Sequence, residues 1–396
     1  MIAATSEVRV HRNPESMHVL TLTPFYPTAV DDARGCFIAE GIPWLQMAGI
    51  DVDVIAVQSI YRAGSGGGSP AAPAQWVNYL SLPGGIGLAS AGAFLFAKLL
   101  PMARRMHQAR RIDLIHAHAP LPCGHAAMLL GRELGIGYLV SVHGLDAFST
   151  NQVHGRFGQW CERVSRMVYH AAEGVACVSD RVRQEVVQRA PRAQTAVVYN
   201  GVDAERFTPP EELGDEHIVL SVGDLIPTKG HATLLRAAAS IRENVANLKV
   251  RIVGDGRERN RLVNLARELG VEDRVTFLGR QSRRQVVDEM RNCTVFALPS
   301  HYEALGCVYL EAMACGKPAI GCRGQGIEEV IRHGFSGILV DPGDAAGLAQ
   351  AMIELLRNSE KRGEMGREAR NEIVRRFTLR QQAEALARIY RECLAK

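Results

Sequence analysis

The sequence has no closely spaced pair of cysteines of the CxxC type, although nine cysteines occur among its 396 residues. Nine is an odd number and the cysteines are scattered, which is typical of a reducing compartment and unlike a disulfide framework. A structural zinc site would also need ligands at close, regular spacing. We therefore expect a cytoplasmic protein that binds no metal.

Long apolar stretches are also missing. The segment 1–17, MIAATSEVRVHRNPESM, is polar and lacks the apolar core of a secretory signal, so we expect a flexible N-terminal tail there. The longest apolar run, IGLASAGAFLFA at 86–97, is too short to cross a bilayer as a helix. Both observations favour a cytoplasmic location.

Charge of one sign is not concentrated anywhere in the sequence. The formal net charge is only +4, and the basic residues are not clustered with aromatic residues. A nucleic-acid-binding protein would have such a cluster, so we expect no nucleic-acid partner. The composition is that of a globular protein, and the length predicts two domains.

What the sequence does contain is two series of short apolar runs, each run followed by a segment long enough for a helix. Such runs, without strict alternation, are typical of strands buried on both faces, and their alternation with helices predicts parallel sheets. The first series is HVLTLT (18–23), VDVIAV (52–57), DLIHAH (113–118), YLVSVH (138–143), GVACVS (174–179) and TAVVYN (195–200). The second series is HIVLSVG (217–223), LKVRIVG (248–254), RVTFLG (274–279), TVFALPS (294–300), KPAIG (317–321) and GILV (337–340).

The two series predict an α/β fold with two doubly wound domains, joined near 201–216. Long helical patterns follow at 345–358 and 378–395. In open parallel sheets, ligands bind beyond the carboxyl ends of the strands, and two facing domains bind a ligand in the cleft between them. Functional residues are therefore expected directly after the strands.

Two strand ends in the second series carry glycine-rich turns. SVGDLIPTKGH (221–231) contains Lys229 ahead of a predicted helix, which would make an anion site, although a solvated loop lysine fits equally well. The next strand ends in GDG (254–256), where Gly254 would allow the backbone to approach a ligand closely. A simple tight turn is as good an interpretation, because Arg259 stands where a dinucleotide fingerprint requires glycine.

The stretch PSHYEALGCVYLEAMACGKPAIG at 299–321 holds two carboxylates, Glu303 and Glu311, in an otherwise small and apolar setting. We expect a helix that starts around 304–306 and ends at Gly316. Eight positions are about 2.2 helical turns, so the two carboxylates would be poorly placed to share one metal ion or one proton. They would suit hydroxyl pairs on different parts of an extended ligand. A first-turn acid and a surface acid are the structural alternative.

Histidines mark two strand ends of the first series. SVHGLDAF (141–148) ends a strand with His143 and Asp146, where a histidine beside a glycine could meet a ligand. A structural histidine is the commoner case at such a position. His116 and His118 share a strand face, but no cysteine or carboxylate spacing around them supports a metal site.

Several of these motifs together resemble one family. GDLIPTKG, IVGDG, FLGR, PSHYEALGCVYLEAMACGKPAIG and NGVDAERFTP resemble the retaining family-4 glycosyltransferases of the GT-B fold, above all bacterial enzymes of exopolysaccharide, capsule or teichuronic acid assembly. The resemblance runs from about 18 to 396 and is best over 217–341. It implies a Rossmann-like acceptor domain at 18–205, a Rossmann-like nucleotide-sugar domain at 206–376, and a last helix at 377–396 that packs back on the first domain.

The resemblance implies a retaining, metal-independent transfer of a sugar from a UDP- or GDP-linked donor, which is a substrate and not a cofactor. Glu311 would hold the ribose hydroxyls. Glu303 would contact the donor sugar, Lys229 would offset the diphosphate charge, and His143 would complete the catalytic set.

Further donor-binding residues follow from the same resemblance. They would meet the sugar, the distal phosphate or the base, and they are Ala304, Leu305 and Gly306 through their backbone amides, Gly254 and Arg280 near the base, and Asp146 opposite the sugar.

Two positions depart from the family pattern. Many members have arginine where this chain has Asp224, which leaves Lys229 as the only charged half of a diphosphate clamp. We expect Asp224 to turn away from the diphosphate or another group to substitute. The first loop, TPFYPTAVDDARG (23–35), keeps only Gly35 of the paired glycines often found there, so Gly35 is the one acceptor-side residue assigned.

The acceptor would be a glycan or a lipid-linked glycan. The segment 86–111 joins an apolar run to four arginines and could lie on an anionic membrane surface, at the inner face of the plasma membrane. A buried helix with a basic C-terminal end fits the same pattern. Two other functions stay open: a sugar-nucleotide 2-epimerase, and a catalytically degenerate subunit that binds nucleotide sugar.

Overall fold

The computed structural model describes residues 16–60, 73–81, 87–148, 153–211 and 217–395. Most of the tail expected at 1–17 and the last part of the connection expected near 201–216 lie outside these residues.

The first sheet has seven parallel strands in the order β3-β2-β1-β4-β5-β6-β7. The strands are β1 (Met17–Thr23), β2 (Ile50–Ser59), β3 (Gln75–Tyr79), β4 (Leu114–His118), β5 (Gly137–Val142), β6 (Gly174–Cys177) and β7 (Thr195–Val197). The helices of this part are α1 (Cys36–Ala39), α2 (Ile42–Met47), α3 (Leu88–Ala109), α4 (His125–Leu134), α5 (Gly155–Ala171) and α6 (Asp180–Arg189).

The second sheet has six parallel strands in the order β10-β9-β8-β11-β12-β13. The strands are β8 (His217–Val222), β9 (Leu248–Val253), β10 (Val275–Gly279), β11 (Val295–Ala297), β12 (Ala319–Cys322) and β13 (Gly337–Val340). The helices are α7 (His231–Ile241), α8 (Arg259–Glu268), α9 (Arg283–Asn292), α10 (Cys307–Ala314), α11 (Ala345–Arg357), α12 (Ser359–Arg376) and α13 (Leu379–Leu394). The predicted fold of two doubly wound parallel sheets is confirmed.

Each sheet has one point at which the strand order reverses. In the first sheet β1 lies between β2 and β4, and in the second sheet β8 lies between β9 and β11. The loops that leave the two central strands turn to opposite faces of the sheet and open a crevice. In the second sheet these loops are 223–230, after β8, and 298–306, after β11.

The chain passes between the two sheets twice, and the two passages lie side by side. Val202 N–H donates to Phe377 O at 2.8 Å, and Leu379 N–H donates to Val202 O at 3.1 Å. Thr378 then caps α13, which packs against α2 and β5 of the first sheet. The Tyr390 hydroxyl of α13 lies 2.7 Å from Nδ1 of His116, beneath that sheet's carboxyl edge.

Strand β3 and helix α12 were not predicted. The sequence of β3 is QWVNY, and only two of its five side chains are buried because it is the edge strand. Helix α12 is strongly charged over 359–376 and packs against α10 and α11 through a few residues such as Met365 and Ile373. Strand β3 lacks the continuous apolar run that predicts the other strands, and α12 has few apolar residues among its charged ones.

Candidate active site

Lys229 and Glu303 meet at the crevice of the second sheet. Lys229 ends a single 3₁₀ turn after β8, and Glu303 lies in the loop after β11. The distance from Lys229 Nζ to Glu303 Oε2 is 2.6 Å. Strand order explains the meeting, because β8 and β11 are neighbours although the residues are 74 positions apart. Two of the three residues named as catalytic from the sequence are thus an ion pair, and the third is His143 of the first domain.

Helix α10 begins at Cys307, directly after Gly306. Gly306 has φ of 92°, a left-handed conformation that other residues rarely adopt, so the backbone turns sharply before the helix. Glu303 therefore precedes the helix, and the estimate of 2.2 helical turns between Glu303 and Glu311 is wrong. The loop sets their geometry instead, and each carboxylate has its own cationic partner.

The backbone N–H groups of Ala304, Leu305 and Gly306 lie at the start of α10. Within the part of the chain that the structure describes, none of the three donates a hydrogen bond. Unused N–H groups at a helix N-terminus attract anions, because the helix dipole adds to their partial positive charge. This arrangement can receive a phosphate or a sugar oxygen next to Lys229.

Glu311 is buried in α10 with 5% of its side chain exposed, so it is not a surface acid. Its Oε1 accepts a hydrogen bond from Arg283 Nη1 at 2.6 Å. Its Oε2 is buried and has no partner among the described residues. Burial raises the pKa of Glu311, and the Arg283 guanidinium opposes this shift. Glu311 therefore offers one free carboxylate oxygen to a ligand.

Arg283 was not recognised from the sequence, and it connects the two parts of the chain. It is the first residue of α9. Besides Glu311 it binds Glu40, the residue that directly follows α1 in the first domain. Arg283 Nε and Nη2 each donate to a Glu40 oxygen at 3.0 Å. The Asp32 carboxylate accepts from the Arg283 backbone N–H at 3.1 Å. No local pattern marks these partners, because they are more than 240 positions from Arg283.

The loop that begins at His143 lies across the cleft from the Glu303 loop. A Cβ added to Gly144 would stand 2.7 Å from the Ala304 Cβ and 3.2 Å from the Tyr302 hydroxyl. Only glycine permits so close an approach. The predicted first-domain and second-domain residues are therefore adjacent in space.

Three histidine rings pack against one another beneath this loop, and those of His118 and His143 are stacked. His143 Nε2 lies 2.9 Å from His118 Nδ1, and the His118 ring lies 4.3 Å from the His116 ring. Burial lowers the pKa of His143 to about 4, and it lowers the pKa of His116 to about 3 with a smaller contribution from His143. The three rings are therefore neutral near pH 7. His143 Nδ1 is buried and has no partner among the described residues, so this atom is the one available to a ligand.

Asp146 holds the His143 loop together. Its carboxylate accepts from the His143 backbone N–H at 2.9 and 3.2 Å. Burial raises the pKa of Asp146 to about 7, and the backbone hydrogen bonds oppose this shift. In this structure the Asp146 carboxylate is engaged with its own loop.

Gly254 and Arg280 lie at the next two strand ends of the second sheet. Gly254 N–H donates to Gly279 O at 2.8 Å, so the loops after β9 and β10 are in contact. Arg280 Nη1 lies 2.8 Å from Asp31 of the first loop. Its Nη2 lies 3.9 Å from Asp224, whose side chain is mostly exposed. A cation therefore stands beside the carboxylate that replaces the usual arginine.

Gly35 is the last residue of the first loop and directly precedes α1. Its backbone carbonyl accepts from Ile38 N–H at 3.0 Å, and its φ is 63°. The loop that it closes carries Asp31 and Asp32, both of which contact the second domain. This loop therefore forms part of the contact between the domains.

The segment proposed for membrane contact forms α3, with one face buried against the core through residues such as Leu95 and Leu99. Arg104 pairs with Glu133, and Arg110 pairs with Asp51 at 2.6 Å. Among the described residues no helix has the length and apolar character to cross a bilayer.

Comparison with known proteins gives consistent matches over most of the chain. The model of "Glycosyl transferases group 1" matches residues 203–372, and that of "Glycosyltransferase Family 4" matches residues 38–206. The N-acetyl-alpha-D-glucosaminyl L-malate synthase of Bacillus anthracis is 30% identical over 295 residues, which are 72% of this chain and 74% of that protein.

Two solved structures are similar to the whole chain. A sucrose-phosphate synthase from Thermosynechococcus elongatus superimposes with a TM-score of 0.75 at 21% identity and covers 96% of this chain and 99% of its own. Alr3699/HepE of Anabaena in complex with UDP-glucose superimposes with a TM-score of 0.73 at 22% identity, covering 94% and 98%. At this identity the two structures support the fold alone.

Proposed function

Because the chain belongs to glycosyltransferase family 4, we propose that it moves a sugar from a nucleoside diphosphate to an acceptor hydroxyl, with retention at the anomeric carbon. The observation that carries the proposal is the arrangement at the reversal point of the second sheet. There Lys229 and Glu303 converge with three backbone N–H groups that have no acceptor in the described part of the chain. An anion-binding corner beside a carboxylate suits a sugar linked to a diphosphate.

The donor is a UDP- or GDP-linked sugar that spans from Glu311 to Glu303. Glu311 Oε2 accepts a hydrogen bond from a ribose hydroxyl, because that oxygen is buried and has no partner among the residues that the structure describes. Glu303 accepts hydroxyls of the sugar ring. Alr3699/HepE, which has the same fold, was solved in complex with UDP-glucose, and our proposal extends that donor class to this chain.

Departure of the diphosphate is assisted by charge. An ammonium group has three N–H donors, so Lys229 can keep Glu303 and also donate to a phosphate oxygen. The N–H groups of Ala304, Leu305 and Gly306 add positive potential at the same place. Groups that already point at the developing charge stabilise the transition state without rearrangement. Arg280 was assigned to the base from the sequence, but it lies beside Asp224, and we therefore propose it as the second cation near the diphosphate.

The acceptor hydroxyl attacks from the side of the first domain. The buried Nδ1 of His143 faces no partner among the described residues, and its neutral ring can exchange a hydrogen bond with the sugar or the acceptor. The phosphate oxygen of the departing group takes the acceptor proton. Contact between the Gly144 and Ala304 loops excludes water, which would otherwise hydrolyse the donor.

The acceptor is a lipid-linked glycan in surface polysaccharide synthesis, reached at the inner face of the plasma membrane. Support comes from α5, whose exposed side carries Phe157, Trp160 and Met167. Arg163 and Arg166 are exposed on the same helix. Aromatic and basic side chains on one helix face suit the interface of an anionic bilayer.

Binding and stereochemistry test the proposal. UDP- and GDP-sugars are expected to raise the melting temperature of the protein, and an ADP-sugar serves as a comparison. NMR of the product is expected to give the same anomeric configuration as the donor. An inverted product would refute retention, and conversion of a donor to its epimer without acceptor would indicate an epimerase instead.

A further inference from the structure

Arg283 divides one guanidinium between two carboxylates from different domains. Its Nε and Nη2 groups donate to both oxygens of Glu40, each at 3.0 Å. Its Nη1 group donates to Glu311 Oε1 at 2.6 Å. The planar fork of arginine makes the two-bond contact directional, so the position of Glu40 fixes how the guanidinium faces Glu311.

All three groups are shielded from water. The exposed fraction of the side chain is 7% for Arg283 and 5% for Glu311, and it is 21% for Glu40. The guanidinium carbon also lies 5.1 Å from the centre of the Phe207 ring, which is fully buried. Arg206 is the other cation near Glu40, at a longer distance of 3.5 Å. A shift of one of these three charged side chains would leave another charge buried without a partner, which is unfavourable.

Because Arg283 contacts only one oxygen of Glu311, the other oxygen can bind a ligand. Glu311 Oε2 is buried and has no hydrogen-bond partner among the described residues. A guanidinium released by Glu40 could turn its two-donor edge to Glu311 and cover both oxygens. Glu40 therefore keeps Glu311 Oε2 open by holding the rest of Arg283.

We propose that Arg283 is a positioning residue that couples ribose binding at Glu311 to closure of the two domains, with Glu40 as the contact that closure adds. The inference rests on the proposed function, because it takes the ligand of Glu311 to be the ribose of a nucleoside diphosphate. Coupling is reciprocal: a nucleotide that needs the open Glu311 oxygen favours the closed domains, and closed domains bind the nucleotide more tightly.

Neighbouring contacts join the same two segments. Asp32 accepts from the Arg283 backbone N–H at 3.1 and 3.2 Å and so caps the N-terminus of α9. Asp31 accepts from Arg280 Nη1 at 2.8 Å. The segment from Asp31 to Glu40 therefore docks on the segment from Arg280 to Arg283, and the guanidinium lies within that contact.

The test is a double-mutant cycle read by calorimetric titration of UDP and GDP into the full chain. Glu40→Ala is expected to raise the dissociation constant of the bound nucleotide about 5- to 20-fold, within the usual range of coupling between sites. In the Arg283→Met background, the same change is expected to cause no further loss, because Glu40 acts through Arg283. Arg284→Met, a matched change at the next and exposed position, is expected to leave the dissociation constant unchanged.

A solution measurement of shape supplies the second arm. Small-angle scattering is expected to show that UDP reduces the radius of gyration of the wild type but not of Glu40→Ala. If Arg283→Met does not fold, Arg283→Lys replaces it, because lysine keeps the charge and loses the fork.

The outcomes separate the two claims. Wild-type protein that binds neither UDP nor GDP would refute the proposed function. Wild-type binding with an unchanged dissociation constant in Glu40→Ala would refute the coupling alone, even if the variant melts at a lower temperature. Equal losses in both backgrounds would also refute it, since Glu40 would then act on the nucleotide without Arg283.

Discussion

The carboxylate of Glu329, in the second domain, caps a helix of the first domain at Asp180. Glu329 Oε2 accepts from the Asp180 N–H at 2.8 Å, and Oε1 accepts from the Arg181 N–H at 2.9 Å. At another place in the same interface, Asp32 of the first domain caps α9 of the second. Each domain thus satisfies N–H groups that a helix cannot satisfy itself. Each helix also has its own serine N-cap, Ser179 for α6 and Ser282 for α9, and the carboxylate from the other domain adds a second acceptor when the domains are together.

Removal of the Glu329 carboxylate should loosen the first turn of α6. In Glu329→Ala the amides of Asp180 and Arg181 lose their acceptor while the Ser179 cap remains, and the loss of a hydrogen bond costs about 1 kcal/mol of local stability. Hydrogen exchange read by mass spectrometry should therefore speed up several-fold in the peptide that begins α6. The control is Glu328→Ala, the neighbouring exposed acid, which should leave that peptide unchanged. Equal exchange in both variants would contradict the account.

Substitutions of Glu303 and Glu311 should affect different quantities, the rate of sugar transfer and the affinity for nucleotide. Glu311→Gln removes a charged acceptor at the proposed ribose position and should weaken UDP or GDP binding roughly 10- to 100-fold, as expected for a hydrogen bond to a charged group. Glu303→Gln should leave nucleoside diphosphate binding nearly unchanged and slow sugar transfer. Titration calorimetry and initial rates measure the two quantities. The assignment fails if both variants lose nucleotide affinity alike.

Stability should fall when the pH is lowered from about 6.5 towards 4. Burial lowers the pKa of His143 to about 4 and that of His116 to about 3, and it lowers the pKa of His118 well below its ordinary value of 6.5. In this window the unfolded chain binds more protons at these histidines, so acid favours unfolding. Asp146 acts oppositely, since burial raises its pKa to about 7, and burial also raises the pKa of Glu185, Glu289 and Glu311. Burial lowers the pKa of His231 to about 4 and lowers the pKa of His125 and His170 as well, so six histidines act against four carboxyl groups.

Urea unfolding at several pH values measures this dependence. The free energy of unfolding should decrease steadily below pH 6.5. A constant or increasing stability between pH 6.5 and 5 would show that the three rings are not held neutral in the folded protein.

Vesicle binding should depend on the exposed face of α5. Trp160→Ala and Arg163→Ala should each reduce co-sedimentation with vesicles that contain phosphatidylglycerol, and added salt should reduce binding of the wild type. Lys249→Ala, an exposed cation on β9, is the matched control. If the wild type does not bind the vesicles, or if added salt does not weaken its binding, the proposed membrane contact is refuted.

The sequence predicted the fold well because almost every strand is a continuous apolar run. It also predicted that Lys229 and Glu303 lie after strands, and parallel topology brought the two loops together. It missed β3, an edge strand whose sequence QWVNY is only partly buried. The prediction that helical geometry separates Glu303 from Glu311 was wrong, because Gly306 has a left-handed conformation and the helix begins only at Cys307.

The partners of Arg283 lay beyond the reach of sequence patterns. An arginine at the start of α9 has the local pattern of a solvated residue, and its neighbour Arg284 is indeed exposed. Burial of Arg283 follows from the approach of Glu40, 243 positions away, when the two sheets face each other. Contacts of this kind depend on how the domains are arranged, which the periodicity of single elements does not contain.

Sugar transfer by this chain can be measured as release of nucleoside diphosphate from a panel of UDP-, GDP- and ADP-sugars, with and without a glycan acceptor. We expect acceptor-dependent release from at least one donor by the wild type, and a loss of about 100-fold or more in Lys229→Ala and in Glu303→Ala. Turnover that is unchanged in Glu303→Ala would contradict the proposed function.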